Sequence, residues 1–110
     1  ESEREMADID PKQAQIEAKV FRRLLEHLDH RKDVQNIDLM GHSGFCRNCL
    51  SDWYGEAAAE EGLDIDKSTA RERIYGMPYD DFKQKYQQPA SEAQLLLMKE
   101  SVAKNKLPQG

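Results

Sequence analysis

Apolar positions recur at three- and four-residue intervals along most of this chain. Ile16, Val20, Leu24 and Leu28, with Phe21 and Leu25 beside them, make one face of a helix over about 11–30. Asp10 before Pro11 reads as its N-cap followed by proline at the first helical position, and Gln13 is placed for a capping-box contact. Asp33 then caps a shorter segment, Val34 to Met40. Its apolar members Val34, Ile37, Leu39 and Met40 fit a short helix and a strand equally well. Gly41 and Gly44 interrupt regularity on either side of His42 and Ser43. Ser43 is the candidate N-cap of a helix over about 44–61 that stops at Gly62. Asp66 caps another helix through Tyr75, with Gly76 behind it, and Pro78 opens a short one to about Tyr86. Gln87-Gln88-Pro89 is a hinge. Ser91 starts the last helix, which carries Ala93, Leu96, Leu97 and Val102. Lys99, Lys104 and Lys106 lie toward its C-terminal end, where the helix dipole favours cations.

No stretch alternates apolar and polar residues long enough for a strand, and there is no internal repeat. The expected fold is all-α: an orthogonal array of five or six short helices in a single domain. Residues 1–9 are expected to be disordered, 10–106 to form the helical domain, and 107–110 to be a loose tail. The last helix, from about 91, either completes the core or, because a hinge precedes it, serves as an arm or dimer element.

Composition narrows the functional classes. The chain has 110 residues, 38% hydrophobic and 34% charged, with a mean hydropathy of −0.88. That describes a thin core with heavily charged outer faces, and it leaves room for self-association. A net charge of −5 and a pI near 5.2 argue against a nucleic-acid partner, which requires a concentrated basic surface. No apolar run approaches the ~20 residues that span a membrane. The charged start, Glu1-Ser2-Glu3-Arg4-Glu5, lacks the apolar core of a signal peptide. Met6 is a candidate natural start, which would make residues 1–5 foreign. The expected location is the cytoplasm, and the expected partners are a second copy or another protein.

The chemistry concentrates in Gly44-Phe45-Cys46-Arg47-Asn48-Cys49-Leu50. Both cysteines of the chain lie here. On a helix advancing ~100° per residue they project about 60° apart, toward the same space. With Ser43 as N-cap, Cys46 would sit in the first turn, where unpaired N–H groups favour a thiolate. Arg47 would add positive charge. Cys46 is then expected to be the more acidic, attacking thiol and Cys49 its resolving partner. A metal site is the second reading: Cys46, Cys49 and His42, completed by Asp38, Asp52, His27, His30, a partner chain or water, could hold zinc or iron. The third is packing, since Cys46, Cys49, Trp53 and Ala57 share a helix face like a core stripe. His27, near the Leu24–Leu28 face, reads as a buried hydrogen-bonded histidine, and His30 as a helix-end residue. Trp53-Tyr54 and Tyr75 to Tyr79 read as core and interface aromatics. Enzymatic activity is left open.

Alkylhydroperoxidase-D-like proteins also carry a cysteine pair on a helix, but with a histidine four residues after the second cysteine, where this chain has Trp53. The flavin signature of sulfhydryl oxidases has no counterpart here. A closer resemblance runs over residues 10–88, through Asp33-Val34-Gln35-Asn36-Ile37-Asp38-Leu39-Met40, Gly44-Phe45-Cys46-Arg47-Asn48-Cys49-Leu50-Ser51-Asp52-Trp53-Tyr54 and Tyr75-Gly76-Met77-Pro78-Tyr79. In these segments the chain resembles a family of short bacterial proteins catalogued only as domain of unknown function 1244. The resemblance implies a small all-helical cytosolic protein and attention to the cysteine segment. It implies no activity.

Overall fold

The computed structural model describes residues 10–106. The expectations for residues 1–9 and 107–110 lie outside the described residues. Among those described there are six helices and no strand: α1 (Pro11–His30), α2 (Asn36–Ser43), α3 (Arg47–Glu60), α4 (Lys67–Tyr75), α5 (Tyr79–Tyr86) and α6 (Glu92–Lys104). The all-α class stands, and the ambiguous Val34–Met40 segment belongs to a helix. The chain divides into two units, Glu1–His30 and Arg31–Gly110.

The first unit is α1. Asp10 Oδ1 accepts from the Lys12 backbone N–H at 2.9 Å, as an N-cap should. Gln13 does not close a capping box; its amide donates to Glu17 at 3.3 Å, one turn on. The apolar face is where the spacing puts it, yet none of the helix's 20 residues is buried. His27, expected in a core, is exposed.

In the second unit α2 packs on α6, α3 on α4, and α4 on α5. Asp33 does not cap α2. It takes two hydrogen bonds from the Arg31 guanidinium, at 2.9 and 3.0 Å. Gln35 is the N-cap, and Asp38 Oδ2 accepts from its backbone N–H at 3.3 Å. Gly41 lies inside α2 rather than breaking it. A Cβ there would meet the Leu97 side chain at 3.1 Å, so its smallness lets α6 approach. Gly44 ends the helix at φ 77, a left-handed conformation that favours glycine.

Two further bonds fix α6 along α2. Gln94 Nε2 donates to Asp38 Oδ1 at 2.9 Å near the start of both helices, and Asn105 Nδ2 donates to the Gly44 carbonyl at 2.8 Å near their ends. The two helices therefore run in the same direction. Gln35 straps the hinge between α5 and α6: its Nε2 donates to the Tyr86 carbonyl and its Oε1 accepts from the Gln88 N–H, both at 2.9 Å.

The other boundaries follow ordinary cap chemistry. Asp66 accepts from the Thr69 N–H at 2.8 Å, and Gly76 closes α4 at φ 72. Ser91 and Gln94 form a reciprocal capping box at the start of α6. The core is small: Cys46, Leu50, Ala70, Ile74, Tyr75 and Phe82 are its buried apolar residues among those described. Tyr75 meets Phe82 edge-on at 4.6 Å, with Tyr79 and Tyr86 extending the cluster.

Candidate functional site

Helix α3 starts later than Ser43 suggests. Ser43 closes α2, donating from Oγ to the Leu39 carbonyl at 2.7 Å. The N-cap of α3 is Cys46 itself, in extended conformation, so Cys46 precedes the first turn instead of lying in it. Cysteine is not a favoured cap, and here it makes no side-chain capping bond. Its backbone carbonyl accepts the first helical bond, from Leu50 N, at 3.1 Å.

The two cysteines are free thiols and come within 4.1 Å of each other. Their surroundings differ. Cys46 is buried, 7% exposed, and Cys49 is half-buried. Burial pushes the Cys46 thiol up. The backbone N–H groups of Cys49 and Asn48 pull the other way but do not win. This corrects the expected order: Cys46 is not an acidic thiol at a helix start, and the more exposed residue of the pair is Cys49.

Arg47 does not serve the thiols. Its residue is 2% exposed, and its guanidinium points back under the start of α2. Nη1 donates to the Val34 carbonyl at 2.9 Å and to Asn36 Oδ1 at 3.1 Å, and Nη2 donates to the Arg31 carbonyl at 2.9 Å. The guanidinium carbon also lies 5.4 Å from the centre of the Phe82 ring. Burial lowers its pKa from the usual arginine value, opposed by the nearby Tyr75, Cys46 and Asp33.

Asn48 continues this buried network. Tyr75 receives a bond from Asn36 Nδ2 at 3.0 Å and donates its hydroxyl proton to Asn48 Oδ1 at 2.8 Å. Asn48 Nδ2 donates to the Tyr79 hydroxyl at 3.3 Å. The Tyr75 hydroxyl is pushed up to about 12, first by burial. Arg47 and Asn48 thus tie α3 to α2, α4 and α5. A cleft of about 340 Å³ opens beside Asn36, Asn48 and Tyr79, with Met40, Met98 and Pro89 on its apolar side.

Of the expected core stripe of α3, Cys46 is buried and Cys49 half-buried, but the rest turns outward. Trp53 is 52% exposed and Ala57 is exposed. Phe45 covers one side of Trp53, ring centres 5.9 Å apart. The inward face is carried by Arg47, Leu50 and Ser51, continued by half-buried Tyr54 and Ala58. The spacing was available in the sequence, but an arginine heading a buried face reads as a surface residue.

The metal set is not assembled. His42 and Asp52 are exposed, and Asp38 is engaged by Gln35 and Gln94. Among the described residues no group of three or more His, Cys, Asp or Glu side chains could hold a metal ion. The donor set in place is two sulfurs, and a four-coordinate ion on them would take its other ligands from outside the described residues.

Fold and site together define a small all-α protein whose only cysteines form a close dithiol at the N-cap of α3, next to a part-buried arginine–asparagine–tyrosine network. Residues 34–100 match the family model of proteins of unknown function designated DUF1244, and the chain belongs to that family. No curated protein matches the chain. No described helix is long and apolar enough to cross a membrane.

Proposed function

We propose that the protein acts through Cys46 and Cys49 as a dithiol that exchanges with a disulfide partner. The observation that carries this reading is the pair of free cysteines 4.1 Å apart, Cys49 half-buried and Cys46 buried. Cys49 enters first. Its thiolate attacks one sulfur of the partner disulfide, forming a mixed disulfide and releasing one partner thiolate. Cys46 then loses its proton and attacks the Cys49 sulfur, releasing the second. The protein ends as an intramolecular disulfide and the partner as two thiols, which take up the two protons. A raised pKa makes Cys46 a poor entering group and suits it to the slower second step.

A second reading is favoured by the burial of Cys46 and by the structural employment of Arg47 and Asn48. In it the protein is a non-catalytic interaction module or adaptor, and the cysteines are packing residues.

Oxidised glutathione, added to the native chain, separates the two. The dithiol reading expects a Cys46–Cys49 disulfide by mass, and a glutathione adduct trapped on Cys49 in Cys46→Ser. Two thiols that stay unreacted in the native protein would overturn it in favour of the adaptor. Stoichiometric zinc or iron on protein purified without chelator, lost in Cys49→Ser, would overturn both in favour of a metal held by the two sulfurs and completed by ligands beyond the described residues.

A further inference from the structure

The hydrogen bonds around Tyr75 have a fixed direction, and they end at a cleft. Arg47 carries only donors, so the Asn36 atom that meets its Nη1 at 3.1 Å is the oxygen. Asn36 Nδ2 is thereby turned to the Tyr75 hydroxyl, which accepts from it at 3.0 Å. The Tyr75 proton goes onward, to Asn48 Oδ1 at 2.8 Å. That leaves Asn48 Nδ2 facing the Tyr79 hydroxyl, whose oxygen accepts at 3.3 Å. The Tyr79 proton comes last, and no described residue accepts it. Each link polarises the next, so this terminal proton is a better donor than that of a solitary phenol.

The cleft of about 340 Å³ lies where this relay stops. Asn48 and Tyr79 line it, with Met40, Met98 and Pro89 opposite in character. Among the described residues none that lines it is charged, in a chain that is 34% charged. An ionised ligand would lose water there without meeting an opposite charge. The volume is near the lower end of the roughly 300–1,000 Å³ of ligand pockets, which suits a small molecule. The Tyr79 O–H and the second Asn48 Nδ2 proton are both donors without an acceptor among the described residues. A carbonyl oxygen has two lone pairs to meet them.

We infer that this cleft binds a small uncharged molecule through a carbonyl oxygen that accepts from Tyr79 and Asn48, with an aliphatic part against Met40 and Met98. Methionine suits such a wall because its unbranched side chain adapts to the shape it covers. The site needs neither thiol.

The probe is N-acetyl-leucine N′-methylamide, which is neutral and combines amide carbonyls with an aliphatic body. Titrated into the isotope-labelled full chain, it is expected to saturate with a Kd of about 1 mM, ordinary for a ligand of its size. The amide shifts should fall on the Asn48 side chain and on the backbone of Gln87 and Gln88, which line the same cleft. N-acetyl-leucine, a carboxylate, and leucine N-methylamide, an ammonium, should each bind about tenfold more weakly or worse. Tyr79→Phe keeps the ring and removes the last donor. It is expected to weaken the neutral probe about fivefold, with the rest of the amide spectrum native. Shifts in the native chain that show no saturation by about 10 mM would overturn the inference. So would a charged analogue that binds as tightly as the neutral probe, or a folded Tyr79→Phe chain that binds like the native one.

Discussion

The residue that changes most between sequence and structure is Arg47. In the sequence it stands between two cysteines and reads as a charge for tuning a thiol. In the structure its guanidinium satisfies the carbonyls of Arg31 and Val34 and the amide oxygen of Asn36. Arginine suits this role because its fixed fork of donors reaches several acceptors at once, which lysine cannot copy. Arg47→Met is therefore expected to lower unfolding free energy by about 2–4 kcal/mol, since buried acceptors lose their donors. Arg47→Lys should recover only part of that. Urea titration of both variants checks the ordering, and a Lys variant as stable as the native chain would contradict it. Two neighbours predict an alkaline weakness. Burial raises the Cys46 thiol above its ordinary 9.0, and the Tyr75 hydroxyl from 10.0 to about 12. Both groups hold their protons more tightly folded than unfolded, so their contribution is complete below pH 9 and declines as pH rises toward 12. Cys46→Ala should remove the early part of that loss and Tyr75→Phe the later part, read as urea midpoints between pH 8 and 11. The pair of cysteines was visible in the sequence, but the burial of Cys46 was not, because it depends on the packing of α4 against α3.

At the scale of the element, legibility followed cap chemistry. The ends of α4, α5 and α6 were readable because Asp66, Gly76, Pro78 and Ser91 act through their own local bonds. The start of α3 was not, because Ser43 has the better capping side chain and a competing use at the end of α2. Gly41 misled for a related reason. It reads as a helix breaker, yet it sits inside α2 to admit Leu97, a demand set by a residue far along the chain. The two helical glycines should consequently respond in opposite directions. Gly41→Leu must displace α6, where Leu97 already lies 3.1 Å from the added Cβ, and is expected to cost about 1–3 kcal/mol. Gly55→Ala in α3 meets nothing within 4 Å and is expected to add about 0.5–1 kcal/mol through helix propensity. Thermal melts of the two single variants decide this, and a stabilising Gly41→Leu would mean that α6 does not rest on α2 as described.

At the scale of the molecule, the composition implied a thin core, and among the described residues only six apolar ones are buried. What the pattern alone did not convey is that no residue of α1, the longest and most amphipathic helix, would be buried. The apolar stripe of α1 is a strong hydrophobic signal, and sequence periodicity gives a face without saying what covers it. If the chain self-associates, as its composition leaves room for, folding and association are one equilibrium, and stability must depend on chain concentration. For a dimer that unfolds to two chains, a tenfold rise in concentration adds about 1.4 kcal/mol per dimer. The native chain should then melt at a higher temperature as it is concentrated. A native midpoint independent of concentration would place the stability of residues 31–106 in their own small core, held by Arg47, Asn48 and the tyrosines rather than by a partner.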